Sequence, residues 1–259
     1  MKSVLEKTRA INRLLQTSAG KPVNFKEMAK VLRDNITCNV YIIGRRGQIL
    51  GHAFQEGFNC PTMDDIVDEL DFPLSFNMDM LAVTQSKANI AEHSPACFFK
   101  VKGAVCPLSY KMITIVPIIG GGERLGTLVL GKLEGEFTDS DMVLGEYGAT
   151  VVATEILRSK SEKMEEEARR KAAVQIALGT LSYSEREAVE HIFAELEGNE
   201  GLLVASKIAD RVGITRSVIV SALRKFESAG VIESKSLGMK GTFIRILNEN
   251  LLEELSRPN

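Results

Sequence analysis

Residues of the types that contact duplex DNA recur at helical spacing between residues 215 and 225. Lysine and arginine bind phosphates, and small polar or apolar side chains near the start of an inserted helix meet base edges. A period of 3.6 places four apolar residues on one face: Ile219, Ala222, Leu223 and Phe226. The other face then carries Thr215, Arg216, Ser217, Val220, Ser221, Arg224 and Lys225. The pattern predicts a helix that packs by one side and contacts DNA by the other.

Each exposed residue type has a matching partner on DNA. Arg216 could bind a phosphate or a guanine, Ser217 and Ser221 could do either, and Val220 could contact a thymine methyl. Further cations for phosphates are Lys207, Lys235 and Lys240. Between residues 201 and 247, eight lysines and arginines stand against three acidic residues, although the whole chain has a net charge of -2. This local surplus favours a polyanionic partner.

The neighbouring segments predict the elements that position this helix. Ile208 and Val212 fit a short preceding helix, and Gly213 supplies a tight turn before an N-cap at Thr215. Gly230 ends the second helix. Residues 231–235 and 242–247 follow as strands of a hairpin whose loop, residues 236–241, contains glycine. The prediction is a winged helix-turn-helix, with the helix-turn-helix at about residues 205–224.

The phrase TRSVIVSALRKFESAGVI resembles the recognition helix of winged-helix bacterial regulators such as the GntR group. That resemblance implies DNA binding. The alternative from the residues alone is a small helical module that binds protein, as in a metabolite-responsive protein–protein adaptor. Salt dependence separates the two, since a DNA binder loses affinity steeply as salt rises.

The front half of the chain has the pattern of a mixed helix and sheet domain. Predicted helices start at Val4 and near Asn24, where Asn24 and Glu27 have capping-box spacing. Two hairpins follow, built from residues 39–44 with 48–53 and from residues 113–119 with 124–132. The phrase TIVPIIGGGERLGTLVLGK resembles GAF domains, which fold as an antiparallel sheet with flanking helices and hold small ligands on one sheet face.

Between the hairpins lies a long connection, residues 60–106, that shows no regular period. It is rich in methionine and aromatic residues, which argues against disorder. Such apolar walls suit a small hydrophobic ligand whose polar end is held by hydrogen bonds. The alternative, equally open from composition, is that these residues complete the core of the domain.

A single helix is predicted from residue 138 to about residue 178, begun by a capping box at Thr138 and Asp141. Its charged stretch, residues 161–171, mixes both signs and indicates a solvated surface. A shorter helix, residues 184–197, is predicted with a capping box at Ser184 and Glu187. The fold class is therefore α+β: a GAF-like domain at residues 1–155, a linker helix at residues 138–178 and a winged helix-turn-helix domain at residues 180–259.

Composition narrows the function classes. The chain has 259 residues, 44% hydrophobic and 25% charged, which suits two domains with real cores. No apolar run is long enough to span a membrane, so we expect a cytoplasmic protein with no membrane partner. The four cysteines lack metal-ligand spacing and are expected to be reduced, and no metal or cofactor is predicted: Cys38, Cys60, Cys97 and Cys106.

An enzyme is the alternative from another function class. The three histidines fall on different predicted elements, no H-E-x-x-H or G-x-S-x-G occurs, and no catalytic residue is assigned. A nucleotide-hydrolysing enzyme would use a phosphate loop. The glycine run at residues 120–122 lacks the lysine and hydroxyl pair of such a loop and fits a hairpin turn instead.

The whole chain resembles the CodY family, global nutritional repressors of low-GC Gram-positive bacteria. Five phrases carry the resemblance: TIVPIIGGGERLGTLVL, EYGATVVATEILR, EEEARRKA, LSYSE and HIFAELEGNEGLLVASKIADRVGITRSVIVSALRKFESAGVIESKSLGMKGTF. It implies a homodimer that binds branched-chain amino acids, chiefly isoleucine, in the GAF domain. The liganded protein is expected to bind AT-rich palindromes and repress starvation genes, and family members are also described as responding to GTP.

The resemblance also assigns an isoleucine site to residues of this chain. It falls on Thr62, Met63, Ile66, Phe72, Pro73, Cys97, Phe99 and Val101. The chain departs from the family at two of the site's positions: Thr62 stands where the family has an arginine for the ligand's carboxylate, and Lys100 replaces a proline. A threonine offers one hydrogen bond and no charge, so the carboxylate partner stays open.

Overall fold

The computed structural model describes residues 3–17, 23–91, 112–196 and 198–257, and of Met239 it describes the backbone alone. The chain divides into two compact units, residues 1–161 and residues 162–259. Both units mix helix and sheet, which confirms the α+β class. The division falls within one long helix, so each unit contributes part of that helix to its own core.

The first unit is built on a five-stranded antiparallel sheet of order β2-β1-β5-β4-β3. The elements in chain order are α1 (Val4–Thr17), α2 (Phe25–Ile36), β1 (Asn39–Gly44), β2 (Ile49–Ala53), α3 (Pro61–Glu69), α4 (Leu74–Leu81), β3 (Lys87–Ala91), β4 (Met112–Gly120), β5 (Glu123–Lys132) and α5 (Asp139–Gly179). The two predicted hairpins are β1–β2 and β4–β5. The α+β sheet with flanking helices is thus the predicted one.

Glycines make the turn and the close strand packing possible. Gly121 and Gly122 join β4 to β5 with φ of 60° and 80°, and a two-residue hairpin turn with two positive φ values favours glycine. At Gly126, an added Cβ would lie 2.2 Å from the carbonyl oxygen of Ile43. A side chain there would push β5 away from β1.

Both faces of this sheet are buried, which explains why its central strands are apolar without alternation. Alternate residues of β1 illustrate the division: Val40 and Ile42 face the cluster formed with α1, α2 and α5, whereas Tyr41 and Ile43 face a second cluster formed with α3 and α4. The strands β4 and β5 divide in the same way. The second cluster occupies the sheet face on which the ligand site was predicted.

The prediction that residues 60–106 are irregular was wrong for the described part of that segment. It contains α3, α4 and β3. Pro61 lies in the first turn of α3, and Leu70 ends this helix in the left-handed region with φ of 56°. Helices of eight or nine residues span barely two turns, so their period does not emerge from the sequence. Residues 92–111 lie outside the described part.

Helix α5 confirms the predicted single helix and its capping box. The backbone N–H of Asp141 donates to Thr138 Oγ1 at 3.3 Å, and the N–H of Thr138 donates to Asp141 Oδ2 at 3.1 Å. For α2, Asn24 is the N-cap but binds the N–H of Lys26, while Glu27 pairs with Lys30, so the predicted reciprocal box does not form.

The second unit contains the predicted winged helix-turn-helix with added elements. After the end of α5 come α6 (Tyr183–Ala194), β6 (Glu200–Leu203), α7 (Ala205–Val212), α8 (Arg216–Ser228), β7 (Ile232–Ser236), a 3₁₀ turn (Gly238–Lys240), β8 (Thr242–Ile246) and α9 (Asn250–Ser256). The sheet order is β6-β8-β7. Sequence reasoning missed β6 and α9.

The capping box of α6 was placed two residues too late. Ser182 is the N-cap, and its partner is Glu185, rather than the predicted Ser184 and Glu187. The helix also ends at Ala194, before the predicted end at residue 197. Tertiary contacts favour the earlier box, since Glu185 is buried and its carboxylate also accepts hydrogen bonds from Ser221 and Lys225 of α8.

Candidate nucleic-acid interface and effector pocket

Helix α8 is oriented by its apolar face, as predicted. Ile219, Ala222, Leu223 and Phe226 are all buried in the core of the second unit. The turn before α8 has Gly213 in the left-handed region with φ of 74°. Phe226 meets Phe193 of α6 edge to face, with ring centroids 6.0 Å apart. This packing fixes which side of α8 faces solvent.

The start of α8 presents polar side chains to solvent. Thr215, Arg216, Ser217 and Arg224 are exposed, and Val220 is half-buried. Thr215 occupies the N-cap position, but its hydroxyl lies 2.7 Å from the Ser217 hydroxyl and makes no side-chain bond to the helix amides. The exposed set includes the residue types that bind base edges and phosphates.

Two residues predicted to project toward DNA are instead engaged within the protein. Ser221 donates to Glu185 Oε1 at 2.7 Å, and Lys225 donates to Glu185 Oε2 at 2.7 Å and to the carbonyl oxygen of Thr180 at 2.8 Å. Both side chains are half-buried. Sequence reasoning missed Glu185 because its own helix was given the wrong first residue.

The cations of this unit fall into two groups. Arg211 pairs with Glu195, and Arg245 pairs with Glu200 at 2.7 Å, so these charges are partly neutralised. Within the described residues, no acidic side chain lies within ion-pair distance of the predicted contacts Lys207, Arg216, Arg224, Lys235 and Lys240, and all are exposed. Five of the six lysines and arginines that the sequence assigned to DNA are therefore unpaired, and the sixth, Lys225, binds Glu185.

The wing depends on one glycine. Gly241 has φ of 114°, and an added Cβ would lie 2.3 Å from the carbonyl oxygen of Leu203 on β6. The chain turns here from the 3₁₀ turn into β8, with Leu237 N–H donating to the Gly241 carbonyl at 2.8 Å. This turn carries Lys240, while Lys235 lies on β7.

The predicted ligand residues that the structure describes gather on one face of the first unit's sheet. Met63, Ile66 and Phe72 are at most 4% exposed and belong to the second apolar cluster. Thr62 and Pro73 are half-buried, on α3 and just before α4. Cys97, Phe99 and Val101, together with Lys100, lie outside the described residues. Three of the five described residues of the predicted site are thus brought together in one cluster.

Aromatic side chains that sequence reasoning did not assign complete this cluster. Tyr41 meets Phe72 edge to face with ring centroids 6.0 Å apart, and Phe72 stacks on Phe76 at 5.4 Å. Burial raises the pKa of Tyr41 well above its usual value, and the thiols of Cys60 and Cys38 add to the rise. Tyr41 therefore stays protonated. Val40 and Tyr41 face opposite sides of the sheet, but both sides are apolar, so the sequence of β1 did not indicate which cluster Tyr41 would join.

Arg124 ties the segment after α4 to the sheet. Its guanidinium donates to the carbonyl oxygens of Met80, Val83 and Gly126 and, at 2.8 Å, to Thr127 Oγ1. Burial lowers the pKa of Arg124 from its usual value. The contacts hold the C-terminal end of α4 on β5.

Over its described residues, the chain contains no group of three or more His, Cys, Asp or Glu side chains that could hold a metal ion. Cys38 and Cys60 are buried, while Cys97 and Cys106 lie outside those residues. Burial, together with Lys26, lowers the pKa of His52. None of the helices in the described ranges is long and apolar enough to cross a membrane.

Comparison with known proteins identifies the two units. Residues 3–180 match the model of the CodY GAF-like domain, and residues 199–259 match that of the CodY helix-turn-helix domain. The chain belongs to the CodY family. Its relatives include global transcriptional regulators CodY from Clostridium botulinum, 58% identical, and Clostridium kluyveri, 57% identical, each over 258 residues and 99% of both chains.

A solved structure of a CodY domain is also similar. It is the cofactor-binding GAF domain of the nutrient sensor CodY from Clostridium difficile, with 34% identity, a TM-score of 0.41, and coverage of 60% of this chain and 99% of that one. As a CodY-family chain, the protein combines a GAF-like domain with a helix-turn-helix domain. Glu185 lies between the two matched ranges, within residues that neither model covers.

Proposed function

We propose that the protein is a DNA-binding transcriptional regulator, mainly a repressor, whose affinity for AT-rich palindromic operators is raised by branched-chain amino acids, chiefly isoleucine. GTP is proposed as a second effector. The observation that carries the DNA-binding half is the set of unpaired, exposed cations on α7, α8 and the wing. The names of its 57–58% identical relatives, global transcriptional regulators, support the same conclusion.

The exposed residues have two different proposed roles in DNA binding. Arg216 and Ser217 lie in the first turn of α8, the part of a recognition helix that meets base edges in the major groove. Lys235 and Lys240 on the wing and Lys207 on α7 would bind phosphates, which positions the protein without selecting sequence. A palindromic operator requires two copies of the chain, so the proposed active form is a homodimer acting in the cytoplasm.

The apolar cluster around Met63, Ile66 and Phe72 supports the effector half of the proposal. Its apolar side chains match the branched side chain of isoleucine in chemistry, and the half-buried Thr62 can contribute one hydrogen bond to the ligand's carboxylate. Binding would stabilise one packing of α3 and α4 against the sheet. Helix α5, which contributes to the cores of both units, is the proposed route by which that change reaches the DNA-binding domain.

The test is a titration of operator binding with isoleucine. A duplex selected by the protein from a random library serves as operator, and binding is measured with and without isoleucine, leucine, valine and GTP. We expect isoleucine to raise operator affinity, and calorimetry without DNA to show direct binding. Unchanged DNA affinity at saturating isoleucine would refute the coupling, and sedimentation showing a monomer on the palindrome would refute the dimer.

A further inference from the structure

One buried carboxylate joins the recognition helix α8 to the helix packed behind it. Glu185 Oε1 accepts from Ser221, and Oε2 accepts from Lys225 and from the backbone N–H of Ser182, each at 2.7 Å. The Ser182 hydroxyl completes the capping box by accepting the Glu185 N–H at 3.4 Å. We call these four residues the Glu185 junction.

The junction constrains the rotation of α8 about its own axis. Ser221 and Lys225 are four residues apart, so they lie on the same side of the helix, one turn from each other. A carboxylate that binds Ser221 with one oxygen and Lys225 with the other contacts α8 at two points, one helical turn apart. Lys225 also reaches the Thr180 carbonyl at 2.8 Å, which adds a third fixed point. Rotation of α8 would break these contacts, and the same rotation would move Arg216 and Ser217.

The burial of Glu185 shows that this acid is held in a defined place. Its residue surface is 7% exposed. The hydrogen bond from Lys225, opposed by burial but helped by Ser182 and Ser221, lowers the pKa of Glu185 from 4.5 to about 2. The side chain is therefore ionised at neutral pH. A negative charge beside a helix that binds DNA should weaken phosphate attraction, so another benefit must offset its presence.

We propose that Glu185 is a positioning residue for DNA recognition: without touching DNA, it holds α8, through Ser221 and Lys225, in the rotation that aligns Arg216 and Ser217 with base edges. The inference rests on the proposed DNA-binding function. It assigns Ser221 and Lys225 to the internal contact rather than to the DNA. It also predicts that removal of the acid weakens operator binding, whereas a purely electrostatic role would make that removal strengthen binding.

The test compares Glu185→Gln with Glu187→Gln. Each removes one negative charge from α6, but among the described residues no hydrogen bond or ion pair involves the Glu187 side chain. Glutamine can still serve in a capping box, so the first variant mainly loses the ionic contact to Lys225. We expect Glu185→Gln to lower operator affinity by about five- to twentyfold while affinity for a random duplex is unchanged or higher. Glu187→Gln should not lower either affinity.

The ratio of operator affinity to random-duplex affinity distinguishes a loss of α8 positioning from a loss of folded protein. A variant that is merely less folded loses both affinities by one factor, and a thermal melt would reveal it. A ratio unchanged in Glu185→Gln overturns the proposal. Should that variant not fold, Ser221→Ala removes one contact and leaves the capping box and the ion pair in place; its ratio should fall by about threefold, and an unchanged ratio again overturns the proposal.

A second arm asks what Lys225 does. In the Glu185→Gln background, Lys225→Met should change operator affinity by less than about twofold, because the charge attraction between the two side chains is already lost. If Lys225 instead binds a phosphate, Lys225→Met lowers both affinities in either background and reduces the salt slope by about one, which overturns the proposal. Failure of the unaltered protein to select any duplex would refute the proposed function itself. Normal selection with an unchanged ratio in Glu185→Gln would refute this inference alone.

Discussion

Each of the two units contains a helix that begins with a capping box and an ion pair. The two helix starts differ in how far apart along the sequence the paired residues lie. At the start of α5, Asp141 completes a capping box with Thr138 and accepts from Lys132 at 2.7 Å. At the start of α6, Glu185 completes a capping box with Ser182 and accepts from Lys225 at 2.7 Å. We call the first set, Thr138, Asp141 and Lys132, the Asp141 junction. In both junctions, one carboxylate caps a helix and binds a lysine from another element.

The Asp141 junction is local and buried. Lys132 is nine residues from Asp141, its side chain is 12% exposed, and its ammonium lies 4.7 Å from the Phe137 ring centroid. The Glu185 junction spans forty residues, and its Lys225 side chain is 36% exposed. A buried local pair mainly stabilises the turn between β5 and α5. A long-range pair whose lysine is partly exposed can instead orient a helix, and the following substitutions test this difference.

The largest effect should come from breaking the buried junction with Asp141→Ala. This leaves the Lys132 ammonium desolvated without its partner, so the free energy of unfolding should fall by about 3 kcal/mol in urea titrations. The control Asp139→Ala, at an exposed acid in the same turn, should cost less than about 1 kcal/mol. Equal losses in the two variants would show that burial does not distinguish this junction.

The next effect concerns what the Glu185 junction positions. Arg216→Ala should weaken operator binding by roughly 1 to 3 kcal/mol, because a base- or phosphate-binding guanidinium is lost. Isoleucine affinity, measured by calorimetry, should stay the same. Arg169→Ala, at an exposed guanidinium on α5, is the matched control and should leave operator binding intact. Equal operator binding by wild type and Arg216→Ala would remove Arg216 from the interface.

Acid should weaken the Glu185 junction in a defined pH range. Because its folded-state pKa is depressed from 4.5 to about 2, Glu185 stabilises the fold above about pH 4.5, and this contribution is lost as the pH falls toward 2. Discounted for the exposed part of Lys225, the loss is about 1.5 kcal/mol. Amide hydrogen exchange of α6 should show it in the wild type and less in Glu185→Gln. Identical pH profiles would contradict the assignment.

The smallest effect should follow Lys240→Ala on the wing, which belongs to neither junction. Loss of one phosphate contact should weaken operator and random-duplex binding alike, by about 0.5 kcal/mol, and reduce the salt slope by about one. The ratio of the two affinities should not change. A change in that ratio would mean that the wing reads sequence, and the contrast between positioning and plain attraction would not hold.

Much of the fold was predictable from the sequence because its signals are local. The apolar period of α8, the positive-φ turns at Gly213 and Gly121–Gly122, and the capping box of α5 all depend on neighbours along the chain. The short elements α3, α4 and β6 were not predictable. Each is too brief for a period to stand out, and each is stabilised by packing on a sheet or strand that comes from elsewhere in the chain.

The start of α6 shows that a local sequence pattern does not always identify the first residue of a helix. The phrase LSYSERE contains two overlapping Ser-x-x-Glu patterns, and both satisfy the local rule for a capping box. Only tertiary contacts decide between them, since Glu185 is buried and also binds Ser221 and Lys225 of α8. The residues of the predicted ligand site were assigned from the family resemblance. The packing of Met63 and Phe72 with Tyr41, in contrast, is visible only in the fold.

The residue order alone determined the helix-turn-helix, the two hairpins and the charge surplus of the C-terminal segment, because spacing, glycine conformation and charge are properties of short stretches. The tertiary structure decided which polar groups remain available for a partner. Arg216 and Lys225 look alike in the sequence, yet one is exposed and the other binds a carboxylate forty residues away. Pairing over that distance depends on how helices pack, and no local pattern encodes it.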